Sequence, residues 1–470
     1  MKKLLLLCVS TLTTFTFFAQ SLTPTIDKRV EILSIVSRLA EYDEYNQDAA
    51  KKYVSAIHLH FDKFKSDTLI GFAKIVREEL GIGFDAVMSL AVNLKQDKQQ
   101  FTLQPNWKND IDTRWTKKAT LQFVHLLNQF YTKAKAELFF KNQENYYNKA
   151  LIAFNQVQVK FNQQWYYNYY GITPKDKFSI IVGCGNGGAN YGPSINLTKT
   201  VRQVYAVMGS WSFDKDGNPV FKVEDYLPTL IHEFNHSFIN PLLFKHQSDT
   251  VLSNSMLKIL DTMKTEMERQ AYGNWETILN ESLVRASVVR YLFKNNDGDN
   301  NIVNDEIAEQ LNRGFLWTKE LVSLLEVYEN NRTKYPSIIE FYPEIITFFK
   351  STADSISSVK TNFEIKLPKV ISIEPFANNT EDVDASINEM TIHFNETMLG
   401  KDYSINYGEA GKEAYPIKSV VGYSNNNKSI ILALALKPNT AYELVLSGRA
   451  FKNIEGYALK NYTIKFKTKK

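Results

Sequence analysis

The stretch that most constrains this chain is Thr229-Leu230-Ile231-His232-Glu233-Phe234-Asn235-His236-Ser237-Phe238, which reads H-E-x-x-H. Residues four apart on a helix lie one above the other, so His232 and His236 can offer imidazole nitrogens to a single zinc ion. Glu233 is rotated by about 100° from His232, too far round to be the natural third ligand. It is well placed to take a proton from a water activated by the ion, as a general base. The apolar neighbours Leu230, Ile231, Phe234 and Phe238 predict that the rest of the helix is buried. Pro228 suits an early helical turn with Asp225 as N-cap, and Asn240-Pro241 supplies a stop.

Met1-Lys2-Lys3 followed by an apolar run from Leu4 to Ala19 predicts a signal peptide over 1–20, with cleavage near Ala19-Gln20 or Gln20-Ser21. The run is short for a membrane span and is broken by Thr13, Thr14 and Thr16. The expected product is an exported protein, periplasmic, cell-surface or extracellular, with no integral membrane span once the signal is removed. Losing Lys2 and Lys3 lowers the formal net charge from +4 to +2, without a basic stripe, so no nucleic-acid partner is expected. Cys184 is then the sole cysteine, which rules out an internal disulfide and leaves the core to hold the fold.

Residues 21–170 read as a helical N-terminal region. Ile32, Ile35, Val36 and Leu39 make one apolar face over 27–39, and similar spacing recurs over Ala49–Phe61, Leu69–Leu80 (ended by Gly81) and Thr120–Phe161. His58, His60 and His125 fall here and read as structural. The composition changes at Gly171. Phe178 to Gly183 predicts a strand, and Gly183, Gly185 and Gly188 match G-x-G-x-x-G. A dinucleotide loop is rejected, because Gly192-Pro193 and Ile195-Asn196-Leu197 follow where a helix is required. Val204 to Gly209 predicts a second strand. A small mixed sheet ahead of the H-E-x-x-H helix is a place where an extended peptide can pair. Cys184 reads as a buried, unreactive thiol.

The candidates for a third ligand are Glu281, Glu276, His246 and Asp249. Glu281 is preferred: it lies inside a strongly helical stretch, Trp275 to Leu292, whereas Glu276 in the first turn is already explained by the helix dipole.

His232-Glu233-x-x-His236 followed by Asn280-Glu281 resembles the gluzincin metallopeptidases, the thermolysin-like group. It is also similar to a family of uncharacterised secreted bacterial proteins related to the peptidase MA group. The resemblance covers about residues 170–300. It implies His232, His236 and Glu281 as zinc ligands, Glu233 as general base, and hydrolysis of a peptide bond in a protein or peptide substrate. The chain departs from the pattern at Arg285, where many gluzincins carry an aspartate that supports a zinc-bound histidine. Tyr272, Tyr191 and His246 are open as transition-state donors.

Asn295 to Asn301 has its glycine too early for a calcium loop and reads as a solvated turn. Helices are expected to resume at Asp305–Tyr328 and Ile338–Phe349, and 351–366 reads as a linker. Over 367–470, apolar alternation at 370–373, 390–394, 429–434, 441–446 and 462–466 predicts strands. Ile373-Glu374-Pro375, Thr391 to Met398 and Leu436 to Tyr442 resemble bacterial Ig-like domains, which implies a spacer or attachment module contacting the cell surface or glycans. The chain as a whole is expected to be multidomain. A mainly α-helical α+β metallopeptidase core (zincin-like, 171–350) precedes an all-β Ig-like sandwich. Two rivals stand beside the peptidase: a non-catalytic adhesion protein on a degenerate scaffold, and a glycan-binding surface protein suggested by the many Tyr and Trp residues.

Overall fold

The structure, a computed structural model, describes residues 22–171, 176–243, 246, 248–296, 298–448 and 450–470. The expected signal peptide over 1–20 lies outside them. Among the described residues there are 16 α-helices, followed by an all-β region, and no helix is long and apolar enough to cross a membrane. The chain divides into two compact units, Met1–Lys160 with Lys175–Val223, and Phe161–Pro174 with Glu224–Lys470.

In the first unit the expected helices form where apolar spacing and caps agree. Lys28–Leu39 starts at Asp27, whose carboxylate accepts from Arg29 N–H, and buries Ile32, Ile35, Val36 and Leu39. Thr68–Leu80 ends at Gly81, whose φ of +67° is the left-handed cap that glycine adopts without strain. The periodic stretch 120–161 is broken into Lys117–Lys133, Ala136–Asn142 and Glu144–Gln158. A hairpin of Leu94–Asp97 and Gln100–Leu103 was not foreseen. The sheet has Arg202–Met208 in the middle, with Lys177–Val182 parallel on one side and Ser194–Asn196 antiparallel on the other. A strand thus follows the glycine-rich loop where a dinucleotide-binding loop would need a helix, in agreement with the rejection of that reading.

This sheet was expected to share an α+β core with the H-E-x-x-H helix. It falls in the first unit, and the helix from Glu224 onward falls in the second. The physical reason is its partners. Thr25 bridges Ile181, and Glu31 accepts from Cys184 N–H, so the strands are held by the N-terminal segment. Cys184 is buried there, and burial pushes its thiol well above the ordinary range.

The second unit joins Gln163–Tyr170, Val223–Leu243, Thr250–Thr262, Trp275–Asn295, Asn300–Asn312, Thr318–Asn330 and Ile338–Ile365 to the β module. The expected linker 351–366 is helical almost throughout. Ile345, Phe349, Ala353 and Ile356 continue one buried stripe that packs on Thr250–Thr262, and polar outward positions hid that stripe in composition. Asp299 caps Asn300–Asn312, accepting from Asn301 N–H.

The β module pairs two antiparallel sheets. One is ordered Val370–Glu374, Glu389–Phe394, Ser429–Leu434, Ile417–Ser424, and the other Tyr462–Lys467, Ala441–Leu446, Ile405–Tyr407. Met390, Ile392 and Phe394 alternate inward against Ile430, Leu432, Leu444 and Ile464. Ile405–Tyr407 and Ile417–Ser424 were missed because neither alternates cleanly.

Candidate metal centre

The helix Val223–Leu243 is longer at both ends than its sequence signals imply. Asp225 lies inside the first turn and is not the N-cap, and the helix runs two residues beyond Pro241. Leu230, Ile231, Phe234 and Phe238 are buried, as expected. The covering element is the tyrosine-rich helix Gln163–Tyr170. Tyr166 Oη donates to Ile231 O at 3.1 Å, and the rings of Tyr170 and Phe238 stack at 4.8 Å.

Asn235, between the two histidines, carries a role that the sequence reading missed. Its Oδ1 accepts from Tyr170 Oη at 2.9 Å, and its Nδ2 donates to Val284 O at 3.2 Å. It therefore pins the His232 helix to the helix Trp275–Asn295, which brings Glu281. A fully buried amide between Phe234 and Phe238 was the available signal, since a buried amide needs partners from another element.

His232 Nε2 and His236 Nε2 stand 3.1 Å apart, an approach that requires a shared proton or a cation between them. Glu281 comes within 3.7 Å of His232 Nε2 through Oε2 and within 3.5 Å of His236 Nε2 through Oε1. Donors about 2.0–2.1 Å from a tetrahedral ion stand about 3.3 Å apart, so these spacings fit zinc. Among the described residues the donor atoms of His232, His236 and Glu281 form the one such group, all within 4.8 Å of one another. Burial holds the His232 imidazole well below its ordinary value, so it is neutral as a ligand must be. His236 Nδ1 meets Asn240 Oδ1 at 3.3 Å, and an N–H donated there leaves Nε2 with its lone pair. Glu233 is buried beside His232.

Burial pushes the Glu281 carboxyl up. The Arg285 guanidinium, the two histidines and the Tyr272 hydroxyl outweigh it and hold Glu281 at about 2, ionised. Arg285 Nη2 donates to Glu281 Oε2 at 2.7 Å and to Tyr272 Oη at 2.9 Å, and Tyr272 Oη donates to the same Oε2 at 3.0 Å. Arg285 thus supports the carboxylate, where the resemblance placed an aspartate that supports a histidine.

The other candidates go elsewhere. Glu276 sits in the first turn of its helix, Asp249 caps Thr250–Thr262, and His246 stacks on Tyr342 with ring centroids 4.2 Å apart. Tyr191 is buried in the first unit, where its ring stacks on Tyr45. His58 pairs with Asp62, His60 bonds Ala134 O, and His125 bonds Gln129. His393 is only half-buried on its strand, bonded to Ser429 Oγ.

The helical region and the β module that follows define a two-part architecture, and each part matches a family model. Residues 22–348 match "Domain of unknown function (DUF4932)", and the chain belongs to that family. Residues 364–468 match the bacterial Ig-like domain. Neither family is described as a peptidase family. No curated protein matches the chain. Among solved structures, surface layer protein SbsC, domains 1–6, matches at 15% identity, covering 86% of this chain and 45% of that one, with a TM-score of 0.17. The N-terminal part of the bacterial S-layer protein SbsC matches at 14% identity, covering 86% and 78%, also with a TM-score of 0.17. The chain spans less than half the length of the first.

Proposed function

We propose that this protein is an exported zinc-dependent metallopeptidase. The observation that carries the proposal is the convergence of His232 and His236 with Glu281, 45 residues beyond His236 and on another helix, at spacings that suit one tetrahedral ion. Zinc held there supplies a Lewis acid that polarises a carbonyl and makes water more acidic. His232, His236 and Glu281 would hold it as three protein ligands. Glu233 then takes the proton of the attacking water and returns it to the leaving amine. Asn235 keeps the two ligand helices in register while this occurs. Export rests on the basic and apolar N-terminal stretch.

The test is the metal content of the purified mature protein beside His232→Ala and Glu281→Ala, with peptide cleavage followed for Glu233→Gln. About one zinc per chain, lost in both alanine variants, with cleavage abolished in Glu233→Gln while zinc is retained, is the expected result. A wild-type chain without zinc overturns the proposal. Zinc without turnover turns the protein into a binding or adhesion module.

A further inference from the structure

Arg285 lies one helical turn after Glu281, on the same face, and is buried. Its guanidinium is fixed on several sides. Nη2 donates to Glu281 Oε2 and Tyr272 Oη, Nη1 donates to Gln310 Oε1 at 2.8 Å, and the Phe315 ring lies 4.9 Å beneath. Gln310 is itself oriented by donating to Glu306 Oε1 at 2.7 Å. Arg285 and Tyr272 thus both end on one oxygen, Oε2. A carboxylate gripped by two donors on one oxygen cannot rotate about its last bond without breaking both. Its other oxygen, Oε1, then keeps its place 3.5 Å from His236 Nε2.

We infer that Arg285, with Tyr272, is a positioning residue that presents Glu281 Oε1 to the metal. The inference rests on the zinc reading of this site and assigns the support that the replaced aspartate would otherwise give. In this arrangement the Tyr272 hydroxyl donates to Glu281.

The experiment measures zinc affinity by chelator competition, and the visible spectrum of the cobalt-substituted protein, for the full chain and for Arg285→Lys and Tyr272→Phe. Lysine keeps the charge but lacks the planar fork that reaches both Oε2 and Gln310. Phenylalanine keeps the packing and lacks the hydroxyl. Zinc binding weakened about 10–100-fold in Arg285→Lys, and less in Tyr272→Phe, with an altered cobalt spectrum in both, is the expected result. A purely structural ion pair would change thermal stability and leave the cobalt spectrum as it was. Wild-type affinity and spectrum in both folded variants overturn the inference and leave the zinc reading standing. If Arg285→Lys does not fold, Tyr272→Phe decides alone. A wild-type chain that takes up neither zinc nor cobalt overturns both readings together.

Discussion

Two buried glutamates, one in each unit, show how surroundings decide what a carboxyl can do. Glu31 in the first unit is fully buried and accepts from Tyr53 Oη at 2.5 Å and Cys184 N–H at 2.7 Å, both neutral donors. Burial wins there, and the carboxyl is pushed up to about 7. Glu281 in the second unit is nearly as buried, but Arg285 and the histidines pull it down to about 2. One side chain is a hydrogen-bonding plug under a glycine-rich loop, and the other is a permanent anion facing two imidazoles. Only the second has the properties of a metal ligand. The largest part of the contrast comes from the Arg285 guanidinium one helical turn away, with the two histidines and the Tyr272 hydroxyl adding to it.

Removing that cation should have the largest effect. Arg285→Met leaves Glu281 buried and uncompensated, so unfolding of the metal-free chain should cost about 3–5 kcal/mol less than in the wild type. A denaturant titration at neutral pH checks this. Unchanged stability would mean that the Arg285–Glu281 pair is solvated and that the comparison with Glu31 is empty.

Glu31 should give the next largest effect, with the opposite sign in pH. Its folded-state pKa of about 7 lies above its ordinary 4.5, so the folded chain holds the proton longer than the unfolded chain. Its contribution to stability is complete below the lower value and falls as pH rises through the upper one, by up to ~3 kcal/mol. Glu31→Gln keeps an acceptor for Cys184 N–H and a donor toward Tyr53 without a charge. The wild type minus Glu31→Gln stability difference should therefore decline as pH rises from 4.5 to 7. A flat difference would show that folding leaves Glu31 at its ordinary value.

Much of the centre was legible because helical spacing is a strong signal. The grouping of His232, His236 and Glu281 was legible from i, i+4 geometry and one later helix, whereas the Asn240-Pro241 stop was not where the helix ends. The Ig-like strands were legible where alternation is strict, as at Met390, Ile392 and Phe394. What the sequence hid lies in pairings between distant segments. Asn235 reaches Val284, Arg285 reaches Gln310, and Thr25 bridges a strand beyond residue 177. No local pattern encodes such partners. The strands that precede the H-E-x-x-H helix in sequence are held in the same way, by residues 25–31.

The smallest predicted effect asks how far the Glu281 side of the comparison extends. Gln310 sits near the end of Asn300–Asn312, and the β module docks on the last turn of that helix. Asn312 Nδ2 donates to Gly456 O at 2.8 Å and Ala458 N–H donates to Asn312 Oδ1 at 3.0 Å. Lys452 pairs with Glu309 at 3.2 Å, and Leu311 packs with Leu367 and Tyr457. Asn312→Ala removes two hydrogen bonds, a loss of about 1–2 kcal/mol. Part of that loss should reach Gln310 and through it Arg285, weakening zinc binding about two- to fivefold. The Glu31 pH slope should stay as it is, because Asn312 bonds within the second unit alone. Weakened zinc binding in Asn312→Ala would make the Ig-like module a brace for the metal centre. Unaltered zinc binding, with the stability loss present, would make its docking a matter of fold only, and the support of Glu281 would then end at Gln310.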